Sequence, residues 1–207
     1  MKKTITLLVI QALVATFFAS AETLSNSFVA LKLNERLNYS LKDSSTNPDK
    51  FTLSVFAYDN QKHERQIFEM DGYNFMFKPD NQSKTGKWLL FSVVSQKGEK
   101  DKPYIDDLYY IDGLTGCVSK LYSTTNLDYL LNNSATIICL YDFLRSKETP
   151  TIDIYQFPSM EIIKTIRVDE LTDKRTSPDT ISYKDNKFII EISNDGPDYK
   201  TIEIPVP

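Results

Sequence analysis

Hydrophobic and polar residues alternate along most of this chain, and helical spacing is almost absent. Val29, Leu31 and Leu33 are separated by Ala30 and Lys32, and Leu37, Tyr39 and Leu41 by Asn38 and Ser40. Phe51, Leu53, Val55 and Ala57 form the next set, followed by Tyr73, Phe75 and Phe77. Trp88 to Val94 is nearly continuous apolar, the pattern of a strand covered on both faces. Further runs cover 108–111, 118–122, 136–143, 152–157, 162–168, 187–193 and 201–206. Tyr, Phe, Ile, Val and Thr dominate them, as a pleated and half-buried surface selects. Only 126–132 reads as a turn or two of helix. The pattern predicts an all-β chain.

Punctuation between the runs agrees. The six glycines all fall between apolar runs, three of them as Asp71-Gly72, Asp112-Gly113 and Asp195-Gly196. Asp-Gly is expected to supply the positive φ that tight hairpins need. Short connections and about a dozen strands imply antiparallel meanders, hence a propeller, with a sandwich or barrel as the alternative. An internal repeat favours the propeller. The strand triplet starting at Trp88, Leu108 and Val118 returns at Thr136, Ile152 and Ile162, and begins again at Lys187 and Thr201. Strand repeats of roughly 40–50 residues are the period of propeller blades.

Two segments carry a family resemblance. Leu108-Tyr-Tyr-Ile-Asp112-Gly-Leu-Thr115-Gly116-Cys-Val118 resembles the "strand, Asp, Thr-Gly, strand" hairpin of quinoprotein-type bacterial β-propeller repeats. Ile154-Tyr-Gln-Phe157-Pro158-Ser159-Met-Glu-Ile162 resembles its Pro-Ser variant. The resemblance implies a turn tied by Asp and Thr, with Gly in the left-handed position. It covers about two repeats. The blade-docking tryptophans of that family are absent, with Trp88 standing alone, so quinone binding and dehydrogenase activity do not transfer. No cofactor is expected.

The N-terminus changes the length that has to be explained. Lys2 and Lys3 precede an uncharged stretch, Ile5 to Phe18 is apolar, and Ala19-Ser20-Ala21 places small residues where a signal peptidase reads them. This layout predicts a cleavable secretory signal over 1–21, a single all-β domain over 22–207, and a secreted or periplasmic location by bacterial export. Residues 1–21 hold two lysines and no acidic residue, so their removal takes 207 residues to 186 and the net charge from −4 to −6. About four blades fit that length. No second long apolar run follows, so no membrane span is expected after cleavage. The acidic balance offers no pull toward nucleic acid. Cys117 and Cys139 both fall in the exported part, where an oxidising compartment permits a disulfide between them; two buried thiols are the other reading.

Candidate chemistry is sparse. His63-Glu64-Arg65-Gln66-Ile67 starts like a zinc-protease helix and lacks the second histidine. No Gly-x-Ser-x-Gly turn or phosphate-cradling loop occurs. Asp106-Asp107 and the charged loop 98–103 could bring carboxylates together, and Tyr73, Phe75, Phe77 and the Tyr109-Tyr110 pair could form a stacking platform. Solvated loops and core packing are the plainer readings of both. Segments 169–175 and 194–198 read as charged turns rather than calcium loops. The expectation is a non-enzymatic binding or interaction module for a protein or glycan ligand. The alternative is a carbohydrate-active enzyme using Asp and Glu residues assembled by the fold.

Overall fold

The computed structural model describes residues 26–77, 86–97, 104–125, 127–142, 151–167, 178–193 and 199–206. The candidate signal segment and the charged loops at 98–103, 169–175 and 194–198 lie outside them. The described residues contain no helix, so none is long and apolar enough to cross a membrane. They form fifteen strands in four antiparallel sheets. The first sheet is β2 (Arg36–Asp43), β3 (Phe51–Tyr58) and β4 (Glu64–Gly72) in order. The second runs β5 (Asn74–Met76), β6 (Trp88–Gln96), β7 (Ile105–Asp112) and β8 (Cys117–Thr124), with β1 (Asn26–Ser27) added beyond β8. The third is β9 (Leu127–Leu131), β10 (Ile137–Asp142), β11 (Thr151–Gln156) and β12 (Glu161–Arg167). The fourth is β13 (Pro178–Lys184), β14 (Lys187–Ser193) and β15 (Tyr199–Pro205).

Strand alternation explains how the sheets stack. Along β6, Leu89, Phe91 and Val93 pack with Leu37, Leu53 and Val55 of the first sheet. Leu90, one residue out of step, packs with Leu127, Tyr129 and Ile138 of the third. β10 repeats the device, with Ile138 and Leu140 toward the second sheet and Ile137, Cys139 and Tyr141 toward Phe188, Ile190 and Ile204 of the fourth. Both middle sheets are therefore apolar on two faces, which is why Trp88 to Val94 reads as a continuous run. The end sheets turn mostly polar faces outward. Thr52 and Ser54 donate to Asp71 and Glu69 on the first, and Thr180 donates to Glu191 on the fourth. No core cluster among the described residues joins the first sheet to the fourth. The result is a propeller-like stack of four meander sheets, neither a two-sheet sandwich nor a closed barrel.

Three expectations need correction. Residues 127–131 form strand β9, with Leu127, Tyr129 and Leu131 buried in alternation. Asn132 and Asn133 belong to the turn that follows and obscure that period of two. Val29 to Leu33 is a loop whose Val29 and Leu33 are 76% and 97% exposed. The Asp-Gly pairs at 71–72 and 112–113 do not supply positive φ; Gly86 (+66°) and Gly116 (+74°) do. The tight two-residue hairpin joining β13 to β14 uses Asp185 and Asn186 instead, both left-handed.

The β9–β10 turn rests on one buried amide. Asn132 Oδ1 accepts the backbone N–H groups of Thr136 (2.9 Å) and Ile137 (3.0 Å), while its Nδ2 donates to Ser134 and Thr136 hydroxyls. That burial makes Asn132 the anchor of the turn. Asn132→Ala leaves two backbone donors without this acceptor and is expected to cost ~2–3 kcal/mol, read as a lower urea midpoint at unchanged slope.

Candidate functional site

The hairpin resembling propeller repeats behaves as the resemblance implies. Asp112 Oδ1 accepts the Leu114 N–H at 2.9 Å, its Oδ2 accepts the Thr115 hydroxyl at 2.7 Å, and Gly116 is left-handed. It serves structure rather than chemistry. The loop after β1 docks on it, with the Phe28 N–H donating to Gly116 O (2.8 Å) and the Leu31 N–H to Gly113 O (2.7 Å).

A second clamp holds the same loop from the other side. Arg65 at the start of β4 donates to the Val29 and Ala30 carbonyls and to Glu35 Oε2, while Lys87 donates to the carbonyls of Lys32, Leu33 and Glu35. The Arg65 hydrogen bond, aided by the Lys32 N–H, holds the Glu35 carboxyl below its ordinary 4.5, against the opposing effect of burial. A carboxylate with a depressed folded value stabilises fully above its unfolded value, and that stability is lost as pH falls through the folded one. The protection factor of the Lys32 amide, with the intrinsic pH dependence of exchange divided out, should therefore stay flat above pH 4.5 and fall below it, and Glu35→Gln should flatten that dependence.

At the opposite end of the stack lies a cleft of about 650 Å³ between the second and third sheets. Its size falls within the range of small-ligand sites. Directly paired residues share a face. Asn74 pairs with Val94, and Met76 with Ser92, so Asn74, Met76 and Val94 face the third sheet, whereas Phe75, opposite Val93, faces the first. Asp106 lies on the same side and accepts the Leu127 N–H at 3.1 Å, tying β7 to the start of β9. Below them the Tyr129 hydroxyl reaches Met76 O at 3.4 Å. Loop residues complete the rim. Lys97 pairs with Asp49 at 3.5 Å, Lys50 lies over the Tyr73 ring at 4.9 Å, and Tyr104 is 50% exposed.

The other sequence candidates separate. The Tyr73–Phe77 run divides: Asn74 and Met76 line the cleft and Phe75 and Phe77 pack into the first core, while Tyr73, in the bend before β5, also reaches the cleft. Asp106 enters the cleft, but Asp107 points to the opposite face, where it accepts the Ser123 hydroxyl and pairs with Lys120. Neighbouring strand residues cannot share a face, so this carboxylate pair is split. Tyr109 stacks on Phe91 and Tyr110 packs edge-on against Phe157 (5.1 Å, 83°), so both rings are core. Burial, with Asp112 nearby, pushes the Tyr110 hydroxyl up to about 12. His63 sits in the turn before β4, not on a helix, with Nδ1 3.1 Å from Asp59. Among the described residues no group of three or more His, Cys, Asp or Glu could hold a metal ion. Asp49, Lys97, Tyr104 and Leu127 were missed because they come from separate loops and a strand start, with no local spacing to mark them.

In the structure the sulfurs of Cys117 and Cys139 are not bonded to one another. Cys117 opens β8 in the second sheet, and Cys139 lies in β10 facing the fourth, so the third sheet's own backbone separates them.

Blade-like meanders stacked face to face with a cleft at one end define a propeller-type β protein. No family model and no curated relative matches the chain. Among solved structures it is similar to the β-propeller domain of the Trilobed protease from Pyrococcus furiosus, described as having an open velcro topology. That match has a TM-score of 0.47 and 15% identity, and covers 85% of this chain and 53% of that one. It is also similar to TolB from Acinetobacter baumannii, with a TM-score of 0.37 and 13% identity over 88% of this chain and 43% of that one. The chain thus spans about half the length of the solved chains it matches.

Proposed function

We propose that this protein is exported through residues 1–21 and works as a non-enzymatic binding module, taking a protein or glycan ligand in the cleft between the second and third sheets. The observation that carries this reading is the composition of that cleft. Exposed Tyr104 and Met76 stand beside Tyr73, offering rings and a thioether to an apolar or sugar face. The Asp49–Lys97 pair and Asp106 offer directed polar groups around them. A second reading, a carbohydrate-active hydrolase, is favoured by one feature, the presence of Asp49 and Asp106 in the same cleft.

Calorimetric titration with a panel of capped peptides and oligosaccharides separates the two. Binding without turnover, weakened ~10-fold by Tyr104→Ala, is the expected result. Oligosaccharide cleavage that is abolished by Asp106→Asn in a folded protein would establish the enzyme instead.

A further inference from the structure

Two residues of the cleft already receive lysine ammonium groups, supplied by the protein itself. Lys97 places its Nζ 3.5 Å from Asp49 Oδ2 at the rim. Lys50 places its own 4.9 Å from the centre of the Tyr73 ring. One is an ion pair and the other a cation–π contact, the two ways in which acidic and aromatic side chains receive an ammonium. The lining holds a second member of each type, half-exposed Tyr104 and Asp106. Asp106 Oδ2 accepts the Leu127 N–H at 3.1 Å, which fixes its direction, and a carboxylate has about four acceptor positions to offer. Met76, Val94 and Leu127 supply the apolar part of the same lining. Among the described lining residues, two carboxylates stand against one ammonium. Asp49 is also held in place. The Ser44 N–H donates to Lys50 O and the Asp49 N–H to Asn47 Oδ1, both at 2.9 Å, while the Ser44 and Thr46 hydroxyls donate to Asp71 at 3.0 and 3.1 Å. The carboxylate thus stands at the rim before any ligand arrives, which removes an ordering cost from binding.

We infer that this cleft takes the side chain of a lysine residue from a partner polypeptide, with Asp49 and Asp106 receiving the ammonium and the Met76–Tyr104 surface receiving the stem. The inference rests on the binding reading above and narrows it to a ligand class. Lysine packs its apolar stem along apolar surface while its charged head reaches a polar group, and this lining offers both. An amino sugar carries the same charge but no such stem. Lys97 is then an internal competitor for Asp49. An exposed ion pair is weak and screened by salt, so an entering ammonium exchanges with it at small cost.

The test is a magnetic resonance titration of the whole exported protein, following the Asp49, Tyr73 and Tyr104 amide signals. The probes are Nα-acetyl-lysine methylamide, its Nε-acetylated form, and oligomers of glucosamine and of N-acetylglucosamine. Acetylation keeps the stem and removes the charge. The lysine probe should shift these signals and bind ~10-fold more tightly than its acetylated form. Asp49→Asn should weaken it ~5-fold, whereas Lys97→Gln should strengthen it ~3-fold by removing the competitor, a gain that damage to the fold does not produce. Equal binding of the acetylated probe, no loss in Asp49→Asn, or weaker binding in Lys97→Gln would overturn the assignment. If a sugar oligomer shifts these signals and the lysine probe does not, the binding cleft stands and the lysine assignment falls. If no probe shifts them, both fall.

Discussion

Phe91→Ala should lower stability by ~4–5 kcal/mol, the largest loss expected from any single truncation in the chain. Phe91 is fully buried at the centre of β6. Its ring stacks on Tyr109 (5.6 Å, 13°) and on Phe77 (5.6 Å, 28°), and Phe77 in turn stacks on Tyr39 (4.1 Å, 8°). One column of four rings thus crosses from β7 through β6 to the first sheet. Truncating a buried Phe to Ala costs ~3–5 kcal/mol, and each lost ring pair adds ~0.5–1.5 kcal/mol before relaxation. Equilibrium urea unfolding of the wild type and Phe91→Leu measures the aromatic part separately. If Phe91→Ala cost less than ~2 kcal/mol, the first and second sheets would not share one core.

Gly116→Ala should be the most damaging change that adds atoms. Two effects coincide. Gly116 has φ +74°, where a side chain costs ~1–2 kcal/mol. A Cβ there would also lie 2.2 Å from Phe28 O, a backbone atom held by its own hydrogen-bonded loop. The loop must move away, taking the β1–β8 pairing with it, for a total of ~3–4 kcal/mol. Thr115→Ala, which loses only its hydrogen bond to Asp112, should cost ~1 kcal/mol and leave β1 docked. Amide exchange at Phe28 distinguishes the two outcomes. Protection retained in Gly116→Ala would mean that the glycine is not the seat of the N-terminal segment.

Much of the fold is legible in the sequence because period-two patterns survive wherever a strand has one buried face. The repeat from Trp88 to Arg167 was visible, since both copies sit in middle sheets where selection for apolar residues acts on two faces. β4 and β13 were not, although their sheet-mates β2, β3, β14 and β15 were. In β4, Glu64, Gln66 and Glu69 face solvent and the buried side is interrupted by a register shift between Val55 and Phe56 of its partner. The site was legible only in fragments. Tyr73 and Asp106 stand in runs that drew attention, whereas Asp49, Lys97 and Tyr104 reach the cleft from loops that only the stacking of sheets brings together.

The central claim is that ligand enters between the second and third sheets, at the end of the stack away from the Asp112–Gly116 hairpin. A photo-crosslinking residue placed in turn at Tyr104, at Leu114 on that hairpin and at Ile162 on the β12 edge tests it most directly. Leu114 and Ile162 are at least as exposed as Tyr104, so accessibility alone does not favour the cleft. With the protein expressed in its own cells, mass spectrometry should find adducts at position 104 and none above background at 114 or 162. Adducts confined to 114 or 162 would contradict it.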